Sequence, residues 1–310
     1  MLEDGTVYEG YGLGSSEDAI GELVFNTSVV GFQEILTDPA NANNIIVETF
    51  PLTGNYGVNH ENDLHESITA RGWVIREWCA QPSNFRMEGR IDEYLEKKNI
   101  SAIFDLDTRA ITRKIRDGGV QNALITRTNP EGCKDELVAK IKAWKKPMPA
   151  WVNYNEKVSF EKLDSKYSIT MVNYGIRKDV INALMARGCR VTVVPASYTE
   201  KEIMETKPDA VVLCGGAGLE ALRTDYAQKE NAIDAAQETV AALMKSGVPV
   251  LGIDFGHQIM ALAMDGSVEK DALRSPRRKL PCNRDCKRQN IHYLPEPWLY
   301  RKRYSCKRSR

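Results

Sequence analysis

Residues 252–258 read GIDFGHQ, between the apolar run VPVL and the helix-like IMALAM. Strand, glycine-flanked turn and helix form the layout of a nucleophile elbow, which lifts one side chain out of the backbone towards a substrate. Such a turn serves nucleophilic chemistry when its tip is Ser or Cys beside a general base and an orienting carboxylate. Here the tip is Asp254. A carboxylate can attack a carbonyl carbon, but against an unactivated amide it would form an anhydride and expel a poor leaving group. That step needs an acid to protonate the amine. Bases are scarce: the four histidines are His60, His65, His257 and His292, and only His257 belongs to the elbow.

The elements that would position this turn follow a regular rhythm. From residue 168 the chain reads as strand SITMVNY, helix GIRKDVINALMARG closed by Gly188, and strand CRVTVVP. There follow helix TEKEIMETK with Thr199 as N-cap, strand DAVVLCGG, long helix QKENAIDAAQETVAALMKSG and strand VPVLGID. Strands alternating with helices predict a parallel, doubly wound sheet. Ligands bind such sheets at the carboxyl ends of their strands, where GGAG (215–218) and GIDFGHQ both fall. Residues 1–125 differ, alternating β-like runs (ELVFNTSVVGF, NNIIVETF, ARGWVIREW) with turn-rich segments. One amphipathic helix follows DLD, as TRAITRKIRDGG with Ala110, Ile111 and Ile115 as its apolar face and Gly-Gly as its stop. Another is expected over 132–146. The stretch KKPMPAWVNYNEKVSFEKLDSKY lacks a sustained period and reads as a linker.

The chain has 310 residues, 42% of them apolar and 27% charged, which suits two soluble globular domains. No apolar run is long enough for a transmembrane helix, and MLEDGTVYEG has no signal-peptide pattern. No membrane association is expected. The abrupt start at MLEDG suggests that a first strand is missing. Cys79, Cys133, Cys189 and Cys214 sit in apolar or helical surroundings and read as buried thiols rather than bridges. The formal net charge of zero conceals an asymmetry: residues 271–310 hold 13 Lys and Arg against 3 Asp and Glu. That segment shows neither period nor clear caps, and a basic nucleic-acid-binding arm is one reading of it. It lacks amphipathic helices and regular aromatic interleaving, so no nucleic-acid partner is expected.

The motifs LEDGTVYEG, FNTSVVGFQEILTDP, FPLTGNYGVN, REWCAQPSNFR and DLDTRAITRKIR, together with the elbow, closely resemble the small subunit of glutamine-dependent carbamoyl-phosphate synthetase over roughly residues 2–270. The resemblance implies an α/β protein: an N-terminal β-rich α/β domain (1–150), a truncated doubly wound class I glutamine amidotransferase domain (168–270) and a basic tail (271–310). It implies a cytoplasmic subunit that hydrolyses L-glutamine and passes ammonia to a large subunit. That partner makes carbamoyl phosphate from bicarbonate, ammonia and ATP, for pyrimidine and arginine synthesis. No cofactor or metal is implied in this chain; ATP and Mg²⁺ belong to the large subunit, which the N-terminal domain contacts. Carried over position by position, Ser28, Gly216, Gly218, Phe255 and Gln258 would contact glutamine. The alternative readings are Ser28 as a plain strand-end hydroxyl, the glycines as a tight turn, and Gln258 as the start of a helix.

The departures are as informative. The family's elbow has Cys where this chain has Asp254, and the loop GGAGLE replaces Asn-Gly-Pro-Gly. The late His-Pro-Glu motif that carries the family's base and carboxylate is absent. The tail suggests a shifted reading frame: DALRSPRRKLPC can be encoded so that dropping one base yields MRYGHRGGNCPV. Likewise NRDCKRQNIHYLPEPWLY can yield TEIAKDRTYITSQNHGY, and both strings resemble the family's continuation. The expectation is a one-base insertion near the codon of Lys270 and a chain without glutaminase activity. The alternative function is a non-catalytic scaffold that docks the large subunit.

Overall fold

Period-two alternation organises the first sheet. Its strands are β1 (Tyr11–Gly14), β2 (Ala19–Asn26), β3 (Asn44–Glu48), β4 (Leu52–Thr53), β5 (Gly72–Val74), β6 (Glu77–Trp78), β7 (Ser101–Phe104) and β8 (Gln121–Ile125). Six of them form one mixed sheet in the order β1-β7-β5-β3-β2-β8, while β4 pairs only with β6. Successive side chains point to opposite faces. Val24 and Ile46 therefore join a core with Phe32, Leu36 and Trp73, while Leu23, Phe25, Ile45 and Val47 join another with Ile111 and Ile115. Helices α1 (Phe32–Thr37) and α2 (Ile91–Lys97) serve the first core and α3 (Thr108–Gly118) the second. The cap of α3 is local: Asp107 accepts from the Ala110 N–H at 2.9 Å and Gly119 ends the helix at φ 98°. Ala110 itself faces solvent, and the buried stripe is Thr108, Ile111 and Ile115. Helix α4 (Lys134–Ala143) closes the domain.

The computed structural model describes residues 1–65, 68–146, 156–215, 230–266, 268, 280–282 and 291–293. Its second sheet contains β9 (Val158–Phe160), β10 (Tyr167–Asn173), β11 (Cys189–Pro195), β12 (Ala210–Cys214) and β13 (Val250–Gly252), in the order β13-β12-β10-β11-β9. Strands β10 to β13 pair in parallel, as the sequence predicts. Strand β9 lies in the stretch read as a linker and pairs antiparallel with β11. Three residues are too few to show a period, so only the partner strand reveals it. Helices α6 (Glu200–Met204), α7 (Glu230–Lys245) and α8 (Phe255–Ala263) contribute to the core on one face, through Ile203, Val240, Leu243 and Ile259. Helix α5 (Lys178–Met185) covers the other face through Ile181. Thr199 caps α6 in a reciprocal capping box with Glu202.

Two expectations change. Cys79, Cys133, Cys189 and Cys214 are all free thiols, but only Cys189 and Cys214 are buried. The tail is not wholly without pattern: β14 (Leu280–Cys282) pairs antiparallel with β15 (Ile291–Tyr293).

Candidate functional site

The elbow forms as expected. Strand β13 leads through Ile253, whose N–H donates to Leu213 O at 2.9 Å, to Asp254 and then α8. Asp254 has φ 52° and ψ −117°, a conformation that L-residues rarely adopt. An aspartate at a helix N-cap ordinarily accepts from the first-turn N–H groups; Asp254 makes no such side-chain bond. The strained turn is kept although its tip is not a cysteine. Gly256 allows the close approach that holds it, because a Cβ there would lie 2.1 Å from Leu213 O. Gly215, at φ 88°, lets the end of β12 cross Gly175, whose carbonyl oxygen would lie 1.9 Å from an added Cβ.

The side chains around the tip come from both domains. Asp38, at the end of α1, is buried, accepts from the Ala40 N–H at 2.9 Å and lies 3.5 Å from the Arg177 guanidinium. Arg177 also clasps Asp179 through two hydrogen bonds of 3.1 and 2.6 Å. The next backbone N–H, of Lys178, donates to Leu64 O of the N-terminal domain at 2.9 Å. Burial raises the Asp38 carboxyl; Arg177 opposes the shift, while the charges of Asp254 and Asp179 add to it. Cys214 is the one thiol among these groups, and burial first, then the Asp254 charge, pushes it up to about 12.

The expected substrate contacts are only partly brought together. Asp254, Phe255 and Gln258 share the elbow, but the Phe255 ring is buried edge-on against Tyr174 at 5.2 Å. Gln258 is buried in the first turn of α8. Ser28 lies on the exposed loop after β2, where its N–H donates to Asn26 Oδ1 at 2.6 Å, and it makes no hydrogen bond to the elbow. Gly216 and Gly218 lie outside the described residues. Among the described residues, no cluster of His, Cys, Asp or Glu could hold a metal, and no helix is long and apolar enough to cross a membrane. Asp38 and Arg177 carry no signal in the sequence beyond being charged; only the meeting of the two domains brings them to the elbow.

Fold and elbow together define a two-domain α/β chain of glutamine amidotransferase type. Residues 1–125 match the family model for the carbamoyl-phosphate synthase small chain, CPSase domain, and residues 170–302 match that for class-I glutamine amidotransferase. The carbamoyl phosphate synthase small chain of Fusobacterium nucleatum subsp. nucleatum is 36% identical over 270 residues, covering 87% of this chain and 72% of that protein. That of Staphylococcus haemolyticus is 36% identical over 267 residues, covering 86% and 69%. That of Clostridium perfringens is 35% identical over 272 residues, covering 87% and 73%. The chain belongs to the carbamoyl-phosphate synthase small chain family.

Proposed function

We propose that this chain is a small subunit that does not hydrolyse glutamine and serves as the docking partner of an ATP- and Mg²⁺-using large subunit. That partner would draw on free ammonia to make carbamoyl phosphate in the cytoplasm. The observation that carries the reading is Asp254 at the strained tip of an otherwise intact elbow. Attack by its carboxylate on the amide of L-glutamine would form an acyl–oxygen bond and break the carbon–nitrogen bond, with the departing nitrogen needing a proton. The buried Cys214 thiol, pushed up to about 12 by burial first and then by the Asp254 charge, is a poor substitute nucleophile. Docking is supported by the N-terminal domain, which retains the family motifs and two cores of its own.

The test is glutamate release by the purified chain, alone and with a cognate large subunit. Release at background level is expected, and Asp254→Cys alone leaves it there. Turnover within about tenfold of an intact family member would refute the reading. Capture of the large subunit by the immobilised chain is the expected sign of docking.

An out-of-frame origin for residues 271–310 is supported by their 13 Lys and Arg against 3 Asp and Glu. Against it stand the family match to residue 302 and the pairing of β14 with β15. Sequencing the gene across the codon of Lys270 decides between them.

A further inference from the structure

Away from the elbow, a second group of polar atoms lies buried without partners. Glu48 ends β3 and is only 2% exposed, and its Oε1 makes no hydrogen bond. The Trp73 indole is close enough to favour the ionised carboxyl, yet its Nε1 has no acceptor of normal geometry. Glu34, in the first turn of α1, has a buried Oε2 that is also unpartnered. Burial raises the Tyr56 hydroxyl, and the charges of Glu34 and Glu48 add to the shift. Tyr56 Oη already accepts from the Gly31 N–H at 2.7 Å and the Phe32 N–H at 3.3 Å. A small cleft opens here, lined by Ser28, Val29, Glu48, Thr53, Asn55 and Tyr56. Its volume of about 10 Å³ is room for one molecule of the size of water.

These features restrict what fits. A buried carboxylate needs donors or a counter-charge, and an unpartnered oxygen is costly. Divalent metals need more ligands than the described residues provide here. An alkylated amine is too large for the cleft. A small cation that carries its own N–H donors meets every requirement, because it neutralises Glu48 while donating to Glu48 Oε1 and neighbouring oxygens. We propose that this cleft binds free ammonium against the Glu48 carboxylate. Binding exchanges one proton for one cation: neutral Glu48 and ammonium give the carboxylate–ammonium pair and release H⁺ to solvent. Uptake therefore strengthens as pH rises towards 8, with Tyr56 the other titratable group lining the site and Glu34 behind it, its charge felt at the Tyr56 hydroxyl. The biological use of the site rests on the reading above, since a partner without glutaminase supply depends on free ammonia. The binding itself does not.

The experiment is thermal unfolding of the full chain at pH 8 without glutamine, at constant ionic strength. Ammonium chloride is exchanged for sodium, potassium or tetramethylammonium chloride. Ammonium is expected to raise Tm by about 2–4 °C over sodium, in a saturable manner, and Glu48→Gln to abolish the difference. Line broadening of ¹⁵N-ammonium by the wild-type chain, absent with Glu48→Gln, provides a check independent of any change in melting. Equal melting in all four salts, an equal rise with potassium or tetramethylammonium, or an undiminished response in Glu48→Gln would overturn the proposal. Glutamate release would overturn the reading of a non-hydrolysing chain and leave this result unaffected.

Discussion

Asp254 and Glu48 are two carboxyl groups placed against the usual preference, one by strain and the other by burial. The elbow holds Asp254 at φ 52° and ψ −117°, and its side chain makes no capping bond to the helix N-terminus. Glu48 is pushed up to about 8 by burial, only partly opposed by Trp73. The sign of its effect on stability follows from linkage. Below the ordinary carboxyl range, folded and unfolded chains both carry the proton. As pH rises from about 4.5 to about 8 the unfolded chain loses it first, so stability falls through that window and levels off above it. The full effect is on the order of 5 kcal/mol. Urea unfolding from pH 5 to 9 in ammonium-free buffer should show this decline, and Glu48→Gln should flatten it. Parallel pH profiles for the two proteins would show that Glu48 ionises freely in the fold.

At the scale of elements, the site depends on how closely α8 lies on β12. Gly256 permits that contact, because a Cβ would strike backbone atoms of Leu213 rather than a side chain that can move aside. Gly256→Ala is therefore expected to cost about 2–4 kcal/mol, read as a lowered denaturation midpoint with little change in slope. A loss below about 0.5 kcal/mol would mean that α8 shifts freely and that the elbow is not held by this contact. Helix α6 shows the opposite case, in which the stop–start signal is local. Thr199 and Glu202 are three residues apart and satisfy one another's backbone partners wherever the segment sits.

For the whole molecule, the joint between the domains is polar and passes beside the elbow. Arg177 links Asp38 of the N-terminal domain to Asp179 of its own, and Lys178 N–H reaches Leu64 O. Arg177→Met leaves the buried Asp38 carboxyl without its counter-charge, which is the costly way to break such a pair. Asp38→Asn added to it removes that charge and should recover part of the loss. A double-mutant cycle on the full chain is expected to give a coupling of about 1–3 kcal/mol. Additive single effects would show that the domains are held together by other contacts.

Much was legible in the residues themselves. The βαβ rhythm, the Asp107 and Thr199 caps and the glycine-flanked turn at Asp254 are written within a few neighbouring positions, so period and capping chemistry suffice to read them. The family motifs told which kind of elbow this is, and residue 254 told that its tip is an aspartate where the family has cysteine. Short elements escaped: α1 and β9 are too brief for a period, and β9 exists only because β11 offers it an edge. The orientation of Phe255 into the core, the Arg177–Asp38 bridge and the unpartnered Glu48 were decided by the tertiary structure. Each depends on groups far apart in the chain. Glu48 reads as the polar end of a strand until packing of α1 and Trp73 over β3 removes its water.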